Sequence, residues 1–130
     1  MEKIRVSLND PLLTATTYLS LVQRVWPGEY DVERTKQALS RTLNISAWKG
    51  ERLIGNVRIL TDGYYFGTIP EILVDPDFQR GGIGRKLMEK AWEESPTSLF
   101  LGAQPGKEGF FEQMGYERSL VSFQRKKKRL

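Results

Sequence analysis

Residues 71–85 read EILVDPDFQRGGIGR: an apolar run, then glycines at positions 81, 82 and 84, then the start of an amphipathic stretch. No other part of the chain restricts the fold as much. A run of β-formers that gives way to glycine and then to a helical period is a strand–turn–helix junction, and its two arms must be buried against one sheet. Downstream, Ile83, Leu87, Met88, Ala91 and Trp92 recur at helical spacing opposite Arg85, Lys86, Glu89, Lys90, Glu93 and Glu94, as in a surface helix. The first amides of such a helix have no intrahelical partners, and together with the helix dipole they form an anion site. Glycine at 81, 82 and 84 lets a pyrophosphate approach the backbone, with Arg80 and Arg85 beside it. Glycine clusters also make ordinary turns, and GGIG by itself does not choose between the two.

Two nucleotide folds fail on spacing. The segment lacks the GxxxxGK[ST] of a P-loop. It also lacks a GxGxxG after the first strand with an acidic residue about 20 positions on, as a dinucleotide fold requires.

Around this junction the chain reads as alternating elements. IRVSL at residues 4–8 suits a short strand, and a helix is predicted to start at Asn9 or Asp10 with Pro11 in its first turn, running to the Pro27-Gly28 stop. A weaker helical stripe covers residues 31–43. NISAWKG and ERLIGNVRIL read as a hairpin turning at Lys49-Gly50-Glu51. YYFGTIPEILV is β-rich but interrupted at Gly67 and Pro70; proline cannot donate to a ladder, which predicts an edge, a bulge or a parting from the neighbouring strand. SLFL is predicted as a short buried strand, residues 106–114 as a last helix, and GYERSLVSFQRK as one or two closing strands. The order β-α-α-β-β-β-α-β-α-β predicts a mixed α/β sheet with an antiparallel middle and a parallel crossover.

The absences narrow the chemistry. Without cysteine there is no thiolate nucleophile, no sulfur ligand and no disulfide, which fits a reducing compartment such as the cytoplasm. Without histidine there is no Ser-His-Asp arrangement, no common zinc set and no imidazole base, so proton transfer falls to carboxylate, tyrosine, lysine, a terminus or water, and no metal is expected. No apolar run approaches the ~20 residues of a membrane span, and MEKIRVSLND has no apolar leader region, so no membrane partner is expected. Lys and Arg number 20 against 16 Asp and Glu, yet residues 125–129 alone supply five of the cations. The body therefore carries a net charge of −1 and no nucleic-acid footprint, leaving RKKKRL as a solvated tail or, less simply, a patch for an anionic partner.

The longer stretch LVDPDFQRGGIGRKLM resembles the central motif of the GCN5-related N-acetyltransferase (GNAT) superfamily, [QR]-x-x-G-x-[GA], here Gln79-Arg80-Gly81-Gly82-Ile83-Gly84. Val74-Asp75-Pro76 precedes it at the family's spacing, and GFFEQMGY at residues 109–116 is similar to the family's last helix and following strand. The resemblance implies a single-domain GNAT fold over residues 1–124, with six to seven strands and about four helices, followed by a basic tail at 125–130. It implies acetyl-CoA as cosubstrate, its pyrophosphate on Gln79, Arg80, Gly81, Gly82, Ile83, Gly84 and Arg85. It further implies that the pantetheine arm lies along Ile72, Leu73 and Val74, where residues 65–75 and 98–102 splay apart, and that a backbone amide near Leu73 or Val74 stabilises the oxyanion. Gln104 stands where relatives often carry a cofactor-contacting asparagine.

An amine acceptor is the implied partner, with a homodimer also compatible. Glu71 is the implied general base, against the plainer reading of a solvent-facing strand residue. Phe111 replaces the tyrosine that relatives often use as acid, so solvent, Tyr64, Tyr65 or Tyr116 would have to serve, or the chain would bind acyl-CoA without turnover. Trp26, Trp48, Tyr64, Tyr65 and Phe66 either line the acceptor pocket or pack. A third reading, association with nucleic acid, rests on the tail alone.

Overall fold

Side-chain alternation along one hairpin sets the layers. The hairpin is formed by β2 (Leu43–Lys49) and β3 (Arg52–Thr61), joined through Gly50 at φ 59°, and β2 is buried on both faces. Ile45, Ala47, Ile54, Val57 and Ile59 point to one core, whereas Trp48 and Leu53 point to another. A sheet apolar on both faces needs a helical layer on each side.

The structure, a computed structural model, describes residues 3–128. Before the hairpin come β1 (Ile4–Leu8), α1 (Ala15–Val25) and α2 (Val32–Ser40). After it come β4 (Gly67–Ile69), β5 (Ile72–Val74), a 3₁₀ turn over Pro76–Phe78, α3 (Ile83–Glu94), β6 (Phe100–Leu101) and α4 (Glu108–Gln113). The six described strands run in the order β1-β2-β3-β4-β6, with β5 also on β3. Neighbours are antiparallel apart from β4 and β6, which are parallel. Tyr18, Leu21 and Val22 of α1 and Leu39 of α2 cover Trp48, Leu53 and Leu73. Ile83, Leu87, Met88 and Ala91 of α3 cover the opposite face.

β4 and β5 follow one another along β3. Thr68 lies opposite Leu60 and Leu73 opposite Asn56, with Pro70 and Glu71 in the break between them. β6 pairs only with β4, at Thr68↔Phe100 and Ile69↔Leu101. From Pro70 onward β5 therefore leaves β6, and a cleft opens between them.

Four expectations need correction. α1 starts at Ala15 behind the cap of Thr14, whose hydroxyl accepts from the Thr17 amide at 3.1 Å. Asp10 caps a tight turn instead, taking the Leu12 amide at 2.9 Å and the Ser7 hydroxyl at 2.8 Å, while Asn9 adopts φ 48° and its side chain accepts the Asn44 amide. Trp92 is 60% exposed, because the buried stripe of α3 runs through Ile83, Leu87, Met88 and Ala91 and leaves the next position outside it. Phe100 of β6 is exposed, and the buried member of that strand region is Leu99. Finally, residues 117–128 join no ladder. Arg129 and Leu130 of the predicted tail lie outside the described residues.

Candidate active site at the parting of two strands

The cleft between β5 and β6 is a groove of about 540 Å³ that runs from Ile69 and Leu101 to the N-terminus of α3. One wall is the free edge of β5. The Asp75 amide donates to the Ile54 carbonyl at 2.8 Å, so by strand alternation the Leu73 backbone also faces β3, and the N–H groups of Ile72 and Val74 face the groove. Gln79 Nε2 closes over that edge with a 3.2 Å bond to the Val74 carbonyl.

At the far end, Gly82 is the N-cap of α3 with φ 82°, a left-handed conformation suited to glycine, and no side chain caps the helix. Helix geometry leaves the amides of Ile83, Gly84 and Arg85 without intrahelical partners, and a Cβ on Gly82 would meet nothing within 4 Å. Arg80, Arg85 and Lys107 add three cations to the groove lining. An uncapped helix end, an unobstructed glycine and flanking cations fit a pyrophosphate, and the free strand edge fits an amide-bearing arm.

Of the residues predicted for the cofactor, Ile72, Val74, Gln79, Arg80, Gly82, Ile83, Gly84, Arg85 and Gln104 line this groove. Leu73 does not: it is fully buried beneath α1, with its backbone in the β3 ladder. Gly81 does not line it either, being set back against the Phe78 carbonyl, 3.6 Å from where its Cβ would be. Gly84 has a packing role as well, since a Cβ there would touch Phe110 at 3.5 Å and Ile72 at 3.7 Å.

A second chamber of about 560 Å³ lies between α1, α2 and the sheet, lined by Tyr18, Trp26, Tyr30, Arg58 and Glu71 among others. Trp26 and Glu71 border both spaces, so the two meet at the break between β4 and β5. There the Glu71 carboxylate accepts from Arg58 through both oxygens, with Nη2 to Oε2 at 2.9 Å and Nε to Oε1, and it also accepts the Tyr18 hydroxyl. Burial, and then the neighbouring Glu71 charge, push the Tyr18 phenol well above its ordinary value. Burial opposes the charge on Arg58, but the bonds and field of Glu71 outweigh it and raise that pKa.

Sequence reading missed Tyr18 and Arg58. Tyr18 lies on the buried face of α1 beside Leu21 and Val22, where an aromatic reads as core, and Arg58 sits in a β3 stretch that gives no local sign of its partner 13 residues on. Among the other aromatics, Trp48 is buried in the core, while Tyr64 and Tyr65 stand on the exposed β3–β4 turn, away from both spaces. Tyr116 also lies outside both, and burial raises its pKa. No group of three or more His, Cys, Asp and Glu able to hold a metal occurs among the described residues.

A family model described as an acetyltransferase (GNAT) domain matches residues 14–129. The chain belongs to the GNAT acetyltransferase family. This GNAT chain is 28% identical over 105 residues to an uncharacterized N-acetyltransferase of Prochlorococcus marinus, covering 74% of the chain and 58% of that protein. It spans less than two-thirds of the length of the curated relatives it matches. A GNAT-family acetyltransferase structure from Streptococcus pneumoniae superposes with TM-score 0.77 at 25% identity, covering 95% of this chain and all of that one. The same fold is seen in an aminoglycoside N-acetyltransferase solved in complex with CoA, with TM-score 0.72, 16% identity and coverage of 97% and 96%. Among the described residues no helix is long and apolar enough to cross a membrane.

Proposed function

We propose that the protein is an N-acetyltransferase that uses acetyl-CoA and a primary amine, held together in one ternary complex. The observation that carries this reading is the meeting of two chambers at Glu71, one with an uncapped, cation-flanked helix end and a free strand edge, the other walled by aromatics and carboxylates. When bound, acetyl-CoA supplies an activated thioester carbonyl. The amides of Ile83, Gly84 and Arg85, with Arg80, Arg85 and Lys107, hold its pyrophosphate, and Ile72 and Val74 hold its amide arm. Gln104 contributes a polar contact from the opposite wall.

The amine enters through the second chamber and must arrive neutral to attack. Glu71 takes its proton, through a water on the part of Oε2 that Arg58 leaves open. The Val74 N–H is the chain's donor to the developing oxyanion. Phe111 offers no proton and the raised Tyr18 phenol holds its own, so solvent returns one to the departing thiolate. The lack of cysteine suits a reducing compartment such as the cytoplasm.

The engagement of Glu71 by Arg58 and Tyr18 favours a second reading, an acyl-CoA-binding module without turnover. A panel of small amines, amino acids and peptide amines incubated with acetyl-CoA separates the two by release of free CoA. Turnover with any of them establishes the enzyme. Tight CoA binding without turnover on any of them supports the binding module.

A further inference from the structure

Helix α1 reaches β5 at both ends of the strand. Near the start of the helix, Tyr18 donates its hydroxyl to Glu71, the residue before Ile72. In its last turn, Arg24 donates to the buried carboxylate of Asp75, the residue after Val74, through Nη2 at 3.0 Å and Nε at 3.3 Å. Arg24 Nη2 also lies 2.8 Å from Asp77 Oδ2, so one guanidinium bridges both acids of the turn that leads to Gly82. Between these ties, Leu73 packs under Tyr18, Leu21 and Val22. β5 needs such support. It is three residues long and pairs only with β3, and its other edge is the one that faces the groove. A strand this short, with one partner, has little ladder to hold it in place. The turn after it depends on the same corner: the Phe78 amide donates to the Asp75 carbonyl at 2.8 Å and the Asp77 amide to the Asp75 carboxylate at 2.9 Å. Arg52 reaches that carboxylate at 3.0 Å and stacks on Phe78, but it comes from β3, which the ladder already ties to β5. Arg24 adds a tie of a different kind, from the helical layer.

We propose that Arg24 is a positioning residue: together with Tyr18 it clamps β5 to α1 at both ends, and so fixes the Ile72 and Val74 amides and the turn before Gly82 in the geometry that the cofactor meets. The proposal rests on the reading of the groove as the acetyl-CoA site. Arg24 lines neither the groove nor the second chamber, so its effect on a ligand is exerted through β5 and the turn. An ion pair exposed on both sides contributes little, and Arg24 is itself half-exposed, but its partner Asp75 is buried and would lose one of its two guanidinium partners. A binding edge fixed in advance lowers the ordering cost of association. The same helix walls the amine chamber with Tyr18, Leu19, Val22 and Trp26. Arg24 therefore also sets the wall of one chamber against the edge of the other.

Hydrogen exchange and calorimetric titration with CoA, both on the full chain, test this without the amine. The Asp75 amide, bonded to the Ile54 carbonyl at 2.8 Å, reports on the end of β5. In Arg24→Gln it is expected to exchange about tenfold faster than in the wild type, and CoA to bind about tenfold more weakly. Arg24→Lys keeps a cation beside the two acids and is expected to recover most of both. Arg5→Gln is the control, because it removes another arginine–aspartate pair, with Asp10, that borders neither space. It is expected to lower the melting temperature while leaving the Asp75 amide and the CoA affinity as in the wild type. Unaltered exchange in Arg24→Gln overturns the proposal, and so does faster exchange with unaltered CoA affinity. An equal loss of affinity in Arg5→Gln overturns it as well, since general softening of the fold would then account for the effect. A wild type that fails to bind CoA refutes the reading of the groove instead, and the exchange rates then decide the clamp by themselves.

Discussion

Glu71 faces two demands that pull against each other. A carboxylate has about four lone-pair sites, and three bonds already reach it, two from Arg58 and one from Tyr18. The pair fixes the side chain where the chambers meet, but it leaves one site on Oε2 for water. Glu71→Gln keeps the size and part of the bonding while removing the proton acceptor. Acetyl transfer is expected to fall roughly 10²-fold with CoA affinity little changed. The deficit is expected to narrow from pH 6 to 10, as more acceptor arrives already neutral. Equal rates for the two proteins across that range would remove Glu71 from the chemistry. Tyr18→Phe provides the contrast. Its phenol stays protonated throughout that range, so the variant is expected to lower the rate without changing the shape of the pH profile; loss of an alkaline limb would show that Tyr18 itself titrates.

Among the elements, α3 depends most on one backbone conformation. Gly82 at φ 82° costs a side-chain-bearing residue about 1–2 kcal/mol, and any Cβ there projects into open groove rather than into protein. Gly82→Val is therefore expected to fold with a melting temperature a few degrees lower, and to lose most of the stabilisation that CoA gives the wild type. A folded variant with wild-type CoA affinity would reject the phosphate assignment. The position of this helix was legible in the sequence because glycine, periodicity and an apolar stripe agree within fifteen residues. The break between β4 and β5 was legible at Pro70, which has no amide to donate to a ladder. Other features were not legible, for stated reasons. Asp10 and Thr14 are both cap formers by residue type, with Asp the stronger, and the Asn9–Asn44 contact spans 35 residues. The closing strand was expected from its β-rich composition, yet strand formation depends on pairing, and residues 117–128 pair with no strand among the described residues. The carboxylate of Glu71 was found, but its Arg58 and Tyr18 partners become neighbours only when the sheet and α1 assemble.

For the whole molecule, acid stability follows from buried carboxylates. Asp75 is 2% exposed and holds three parts of the fold together: Arg24 of α1 at 3.0 Å, Arg52 of β3 at 3.0 Å, and the Asp77 amide of the following turn at 2.9 Å. Burial works to raise its pKa, but these bonds outweigh it and hold the carboxyl at about 2 instead of 3.8. Asp10 is held at about 2 as well, chiefly by its bond from Arg5. A depressed folded-state pKa gives stability that is complete above the unfolded value and is lost as pH falls through the folded one, here between about pH 5 and pH 2. The buried tyrosines act at the other limb. Their raised pKa values favour the folded protein below pH 10, and that advantage declines as unfolded phenols ionise above it. The basic run at 125–129 stands outside this scheme, and its removal after Gln124 is expected to change CoA affinity by less than about threefold. Asp75→Asn isolates the main acid term. Unfolding free energies of the variant and the wild type from denaturant titration are expected to differ by about 2 kcal/mol at pH 7 and to converge towards pH 2, as the wild-type carboxyl is itself protonated. Parallel curves with a constant offset would mean that Asp75 contributes through shape alone, and that the acid sensitivity of the fold arises elsewhere.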